Sequence, residues 1–185
     1  RFGPCLDDKG FDNSAPNLRS GYFSMSPTSF GQPAIRVFGT YSVDDYHYWG
    51  YEPLNKRYFR QQDDGDTRDG KAPSYVPLID KLTGEQVSAD NVVYLFVPHS
   101  FADHWQEEDQ VYHIDPVGTG KAYLFRDGIV VPAYWRRFAV DQPLELTNLN
   151  GVPLSLKPGR TFYEVLSEDS FESNQGSDWF FQFTP

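Results

Sequence analysis

The chain has 185 residues, enough for one large domain or two small ones and for a sizeable core without disulfide staples. Its net charge is -10, with 26 acidic residues against 16 Lys and Arg, and no basic stripe interrupts the acidity, which argues against a nucleic-acid binder and against an anionic membrane surface. No apolar run is long enough to span a bilayer, so direct membrane insertion is not expected.

Aromatics make up 17% of the residues, with 12 Tyr and 15 Phe, a bias that suits strands better than helices. The 15 Gly and 14 Pro fall between the apolar runs, where turns belong. A mainly β chain follows: antiparallel sheets forming a sandwich or a partly open barrel-like meander, with few short helical turns. The first residue is Arg1, not Met, so a mature, trimmed or fragmentary product is expected. Residues 1–33 mix charges with Gly, Pro, Ser and Asn and hold few alternating pairs. They read as an irregular N-terminal arm across a single β-rich domain of residues 34–185, docked by Tyr22, Phe23 and Phe30. The lone Cys5 cannot pair within the chain, which leaves a free thiol or an interchain disulfide.

Residues 34–41 (AIRVFGTY) are the first convincing strand. Tyr46 to Tyr51 and Lys56 to Gln61 form an aromatic hairpin. Residues 63–73 are a polar loop, 75–79 are extended, and Thr83-Gly84-Glu85 turns. Asn91 to Val97 (NVVYLFV) has no polar side chain after Asn91, the pattern of a central strand buried on both faces. Residues 99–110 are an acidic excursion with room for one helical turn. Lys121 to Arg126 and Ile129 to Tyr134 flank Asp127-Gly128, the strongest short hairpin signal, because a type I′ turn needs positive φ at both central residues. Pro132 lacks an N–H, which requires an uncovered edge or a bulge at that point. Leu144, Leu146, Leu154 and Leu156 alternate with polar neighbours around Asn150-Gly151, giving a second hairpin. Lys157-Pro158-Gly159-Arg160 turns into the strand 161–166, placed as the next strand of the meander. Residues 167–177 are an acidic loop, and 178–184 close the fold as a terminal strand.

Candidate chemistry is sparse. Gly118-Thr119-Gly120 precedes a strand rather than a helix, so it is a strand entry and not a nucleotide loop. Asp63, Asp64, Asp66 and Asp69 offer hard oxygen ligands for calcium, but Arg68 occupies a ligand slot and no bidentate Glu closes the loop, so a solvated acidic loop competes with a metal site. His99, His104 and His113 lack a ligand-type spacing. Glu107, Glu108 and Glu164 invite a glycosidase reading, which requires two carboxyls facing across a cleft. The set Tyr46, Tyr48, Trp49, Tyr51 and Tyr58 is the most suggestive: alternating Tyr and Trp on an exposed β face stack on sugars or anchor a protein, whereas on a buried face they pack the core.

Three stretches resemble the C-terminal domain of the YerB-like family, bacterial lipoproteins or secreted proteins of undetermined function. They are LTGEQVSADNVVYLFVPH, GTGKAYLFRDGIVVPAYW and LNGVPLSLKPGRTFYEVL. The matching positions are Thr83, Gly84, Glu85, Asn91 and Val92; Gly118, Gly120, Ala122, Phe125 and Gly128; Trp135; Asn150 and Gly151; and Pro158, Gly159, Thr161 and Phe162. The likeness also takes in the hairpin from Tyr46 to Arg60 and spans about Pro33 to Pro185. Phe162 stands where the family often has Trp, and the family's larger N-terminal domain has no counterpart here. The resemblance implies a bacterial, extracytoplasmic, β-rich module and no reaction.

The functional expectation is a non-enzymatic extracytoplasmic domain that works through a protein partner or self-assembly, as a structural or accessory subunit of a cell-surface assembly, without a cofactor. The arm and the terminal strand are the expected contact elements. The alternative is a carbohydrate-binding module or wall-active enzyme of the cell envelope.

Overall fold

The computed structural model describes residues 22–65, 72–102 and 111–185, and every described element is a strand. Two sheets face each other and neither closes into a barrel. The first holds β1 (Gln32–Pro33), β7 (Asn91–Val97), β10 (Gly118–Arg126), β11 (Ile129–Arg137), β12 (Glu145–Thr147) and β13 (Thr161–Ser167). Its order is β1-β11-β10-β7-β13, with β12 also on β11. The second holds β2 (Arg36–Ser42), β3 (Asp45–Glu52), β4 (Arg57–Asp63), β5 (Tyr75–Pro77), β6 (Ser88–Ala89), β14 (Phe171–Gln175) and β15 (Asp178–Gln182). Its order is β14-β15-β2-β3-β4-β5, with β6 on β4. A separate ribbon pairs β8 (His99–Phe101) with β9 (Tyr112–Ile114).

The core lies where pleats from both sheets meet. Val37, Trp49, Tyr58, Trp179 and Phe181 of the second sheet interleave with Val92, Tyr94, Phe96, Tyr123, Phe125 and Leu166 of the first. The other face of the first sheet buries Val93, Leu95, Leu124, Val131 and Trp135 beneath Leu144, Leu154 and Leu156. That double covering explains the unbroken apolar run of β7, whose seven residues are all buried.

The Asp127-Gly128 hairpin forms as its dipeptide dictates. Arg126 pairs with Ile129, and the two turn residues have φ of 52° and 77°. A Cβ on Gly128 would also sit 2.7 Å from the Tyr51 ring. Gly128→Val should therefore cost at least about 1–2 kcal/mol from backbone strain alone, with the Tyr51 collision added. Urea denaturation checks this, and an unchanged midpoint would refute it. The edge required at Pro132 is present: β1 covers β11 at 129–130 and β12 covers it at 134–136, leaving Pro132 open between them.

Three expectations change. The strand 161–167 does not extend the meander; it crosses and pairs parallel with β7. Asn91, fully buried, fastens that crossing by donating from Nδ2 to the Lys157 carbonyl and accepting from the Lys157 N–H, both at 2.8 Å. The 167–177 segment is not all loop: Phe171–Gln175 pairs with β15. Residues 99–101, the start of the 99–110 excursion, are strand, while residues 103–110, which hold most of the room for a helical turn, lie outside those described.

The terminal strand also differs from its expected role. β15 is held between β14 and β2, parallel to the latter, so it is not a free edge. The described part of the arm lies on its own domain. Ser24 donates its N–H to the Leu156 carbonyl, Leu156 donates to the Tyr22 carbonyl, and β1 pairs with β11.

Candidate functional site

The pleat divides the five candidate aromatics of the Tyr46–Tyr58 hairpin between a buried and an outward face. On β3, His47 and Trp49 point inward and Tyr46 and Tyr48 outward, because side chains alternate. Trp49 and Tyr58 are fully buried, and Tyr51 is half-buried against Tyr58 and the Gly128 turn. Two arrangements result, one inside the sandwich and one on its outer surface.

Inside, Glu164 is the centre. It projects from β13 and is only 5% exposed. Its Oε1 accepts from Trp49 Nε1 at 3.0 Å and from Arg60 Nη1 at 3.2 Å, and its Oε2 accepts from the Tyr41 hydroxyl at 3.1 Å. His47 Nε2 lies 3.1 Å from the same Oε1, within ion-pair range although not aligned for a hydrogen bond. His47 Nδ1 faces Asp45 Oδ1 at 3.3 Å. With a carboxylate at each ring nitrogen, the imidazolium is the favoured form. Burial alone would lower the His47 pKa, but Asp45 and Glu164 hold it raised. Burial likewise pushes Glu164 up, and His47, Trp49 and Arg60 override it and hold the carboxyl below its ordinary range. Gly39 makes the room: a Cβ there would stand 2.5 Å from His47 Nε2 and 2.9 Å from the Tyr94 hydroxyl.

This cluster ties the two sheets together. His47 is fully buried, so no substrate reaches its ring. Asp45 is separated from Glu164 by the imidazole rather than facing it across a cleft, which removes the glycosidase geometry from this pair; Glu107 and Glu108 lie outside the described residues. The sequence signal for the cluster was a lone charge within each aromatic strand, His47 in YHYWGY and Glu164 in TFYEVL. Pairing those strands across the sandwich was beyond a linear reading.

Outside, β15, β2, β3 and β5 present a row of rings. Phe180 and Phe38 stack with centroids 5.0 Å apart at 7°, Phe38 meets Tyr48 at 5.1 Å and 40°, and Tyr48 meets Tyr75 edge-on at 5.0 Å and 83°. Arg36 covers Phe38 at 5.5 Å and forms a two-pronged ion pair with Asp178. The register puts Phe171 of β14 on the same face, and it is 66% exposed. Only Tyr48 and Tyr46 of the aromatic set belong to this surface.

The remaining candidates are dispersed. Asp63 Oδ1 accepts from the N–H groups of Gly65 and Ser74, which shapes its own loop. Asp64 is exposed beside it, while Asp66, Asp69, His104 and Cys5 lie outside the described residues. Among the described residues no group of three or more His, Cys, Asp or Glu is arranged to hold a metal ion. His99 and His113 sit at adjacent register positions of the β8–β9 ribbon and so point to opposite faces.

Residues 36–163, more than two thirds of the chain, match the family described as the C-terminal domain of a protein of unknown function, DUF3048. The chain belongs to that family. The DUF3048 fold here is similar to the crystal structure of YerB from Bacillus subtilis, with a TM-score of 0.62 at 22% sequence identity. The match covers 90% of this chain and 49% of that one, so this chain spans about half the length of YerB. No curated protein matches it. The YerB-like resemblance carried by the glycine turns and by the Thr161–Phe162 strand entry is thereby established for the DUF3048 domain, as a family and a fold.

Proposed function

We propose that this chain is a non-enzymatic, extracytoplasmic binding module that engages a protein partner through the outer face of its second sheet, as a structural or accessory subunit of a cell-surface assembly. The extracytoplasmic setting rests on the likeness of its motifs to YerB-like lipoproteins and secreted proteins. The mode of binding rests on one observation. The outer row of Phe180, Phe38, Tyr48 and Tyr75 consists of rings that pack against one another, face to face at Phe180–Phe38 and edge-on at Tyr48–Tyr75, so ring faces are partly taken up within the row. A sugar platform needs a broad, flat aromatic face, whereas these rings turn against one another at differing angles and form a rigid apolar ridge. Such a ridge, bordered by the Arg36–Asp178 pair, matches the anchor-and-rim anatomy of a protein contact. The partner surface that fits is an apolar groove with polar margins.

The ridge is taken as the contact element in place of the terminal strand and of the described part of the arm, residues 22–33, since both are engaged by their own domain. A photo-crosslinking residue at Phe180, in bacteria that carry the full-length protein, should yield a protein adduct. The same probe at Leu82, which is 97% exposed away from the aromatic row, should not. An adduct of twice the chain's mass would identify self-assembly as the form of contact. Equal labelling at both positions, or glycan binding abolished by Tyr48→Ala, would overturn the proposal.

A further inference from the structure

A groove away from the aromatic ridge has the opposite electrostatic character to the rest of the chain. It has a volume of about 750 Å³ and runs between the 53–56 turn, β6 and the 157–160 turn. Lys56, Arg57, Lys157 and Arg160 line it, against only Glu85 and Asp90, in a protein whose net charge is -10. We propose that this groove is a binding site for a phosphorylated polyol or sugar, with the phosphate at the cationic end.

The cationic end is built rather than incidental. Asp90 is 4% exposed and organises it: Oδ1 accepts from Arg57 Nε at 3.0 Å and Oδ2 from the Arg160 N–H at 2.8 Å. Gly159 has φ of 135°, and a Cβ there would lie 2.1 Å from Asp90 Oδ2, so only glycine lets the turn close on that carboxylate. Lys157 is spent internally, donating to the Lys56 carbonyl at 2.6 Å and pairing with Asp127 at 3.0 Å. That bond braces Lys56 in the left-handed region, at φ of 53°, where a lysine is uncommon. Asp90 engages only the Nε of Arg57, and Arg160 Nη2 donates to Ser88 Oγ at 3.0 Å. The Lys56 ammonium and the remaining guanidinium N–H groups are therefore available to a ligand. They come from two separate turns, which suits a tetrahedral phosphate with oxygens in several directions better than a planar carboxylate.

A second cavity, of about 310 Å³, adjoins the first and shares Glu85, Gln86, Ser88 and Arg160 with it. Asp80, Thr83, Glu85 and Gln86 supply acceptors and donors for hydroxyl groups, the two carboxylates as acceptors only, while Val87, Ala89 and Phe162 provide an apolar floor. Both volumes fall in the range of roughly 300–1,000 Å³ usual for small-ligand pockets. A cationic mouth leading into a chamber suited to hydroxyls is the complement of a phosphate ester carrying an uncharged polyol.

The test is titration of the intact chain with glycerol 3-phosphate, inorganic phosphate, glycerol and tetraglutamate, followed by amide NMR in about 0.15 M salt, where nonspecific attraction is screened. Saturable shifts confined to residues 55–57, 83–90 and 157–161 are expected with glycerol 3-phosphate. Inorganic phosphate should move the same amides several-fold more weakly, and glycerol should move none. Lys56→Glu should weaken glycerol 3-phosphate about tenfold or more, and Arg160→Gln should do likewise. Lys56 is exposed, so its variant should keep the parent thermal midpoint. Absence of saturable shifts, unaltered affinity in Lys56→Glu, or tetraglutamate binding as well as the phosphate ester would each overturn the proposal. Phe180→Ser should leave this binding untouched, so failure of this site and failure of the aromatic ridge are separable.

Discussion

Glu164→Ala should destabilise the fold by about 3–5 kcal/mol, because it removes one partner from a buried charge cluster and strands the others. His47 is fully buried, the Arg60 side chain is 12% exposed, and Trp49 and Tyr41 would lose their common acceptor. Against a total stability on the order of 5–15 kcal/mol, that loss is large enough to shift a urea midpoint severely. Glu164→Gln keeps an acceptor and should cost less.

The same cluster sets the response to pH. His47 is raised above its ordinary value of 6.5, so its contribution is complete below that pH and is lost as pH rises through the folded value. Glu164 is lowered from its ordinary 4.5, so its contribution is present above that pH and is lost as pH falls through the folded value. Stability should therefore peak between the two and decline on both sides. His47→Gln should flatten the alkaline decline while leaving an acid limb. If Glu164→Ala unfolds at the parental urea concentration, or His47→Gln retains the full alkaline decline, the cluster is not the clamp described here.

Arg126→Met should cost about 2–4 kcal/mol and release the segment from residue 22 to residue 28. Arg126 has no exposed surface. Its guanidinium donates to the carbonyls of Ser155 at 2.8 Å, Ser26 at 3.0 Å and Ser24 at 3.1 Å, and to Asp127 at 3.1 Å. Methionine fills much of the volume and offers none of those donors. The Ser24 and Ser26 carbonyls can regain partners only by turning to water, which detaches the arm from the Leu156 backbone. Hydrogen exchange at the Ser24 and Leu156 amides reports this directly. Exchange at the parental rate in a variant of parental stability would refute it. Met25 lines the cationic groove, so the same substitution should also loosen one wall of that site.

Much of this molecule was legible from the chain alone. Asp127-Gly128 names its own turn, since positive φ at two successive residues is a local requirement. The apolar run of β7 declares burial on both faces, and Pro132 requires an uncovered edge or a bulge, of which the fold supplies the edge. The candidate sites were only partly legible. The Tyr46–Tyr58 hairpin was found, but which of its rings face outward depends on which side the core lies. Phe38, Tyr75 and Phe180 come to Tyr48 from strands distant in sequence. Asp90, Arg57 and Arg160 carried no pattern that marked them, because their grouping arises from a parallel crossing rather than a hairpin.

The sequence by itself determined the tight turns at 127–128 and 150–151, most of the extended runs and the β class of the described residues, because turn dihedrals and two-residue alternation are settled between near neighbours. The tertiary structure alone decided the partners. It laid the strand after Arg160 parallel to β7 and put β15 inside the second sheet. It also closed Glu164 over His47. Strand pairing across long separations is chosen by how both faces bury and by which buried charges find counterparts, and those are properties of the assembled sandwich that no single stretch contains.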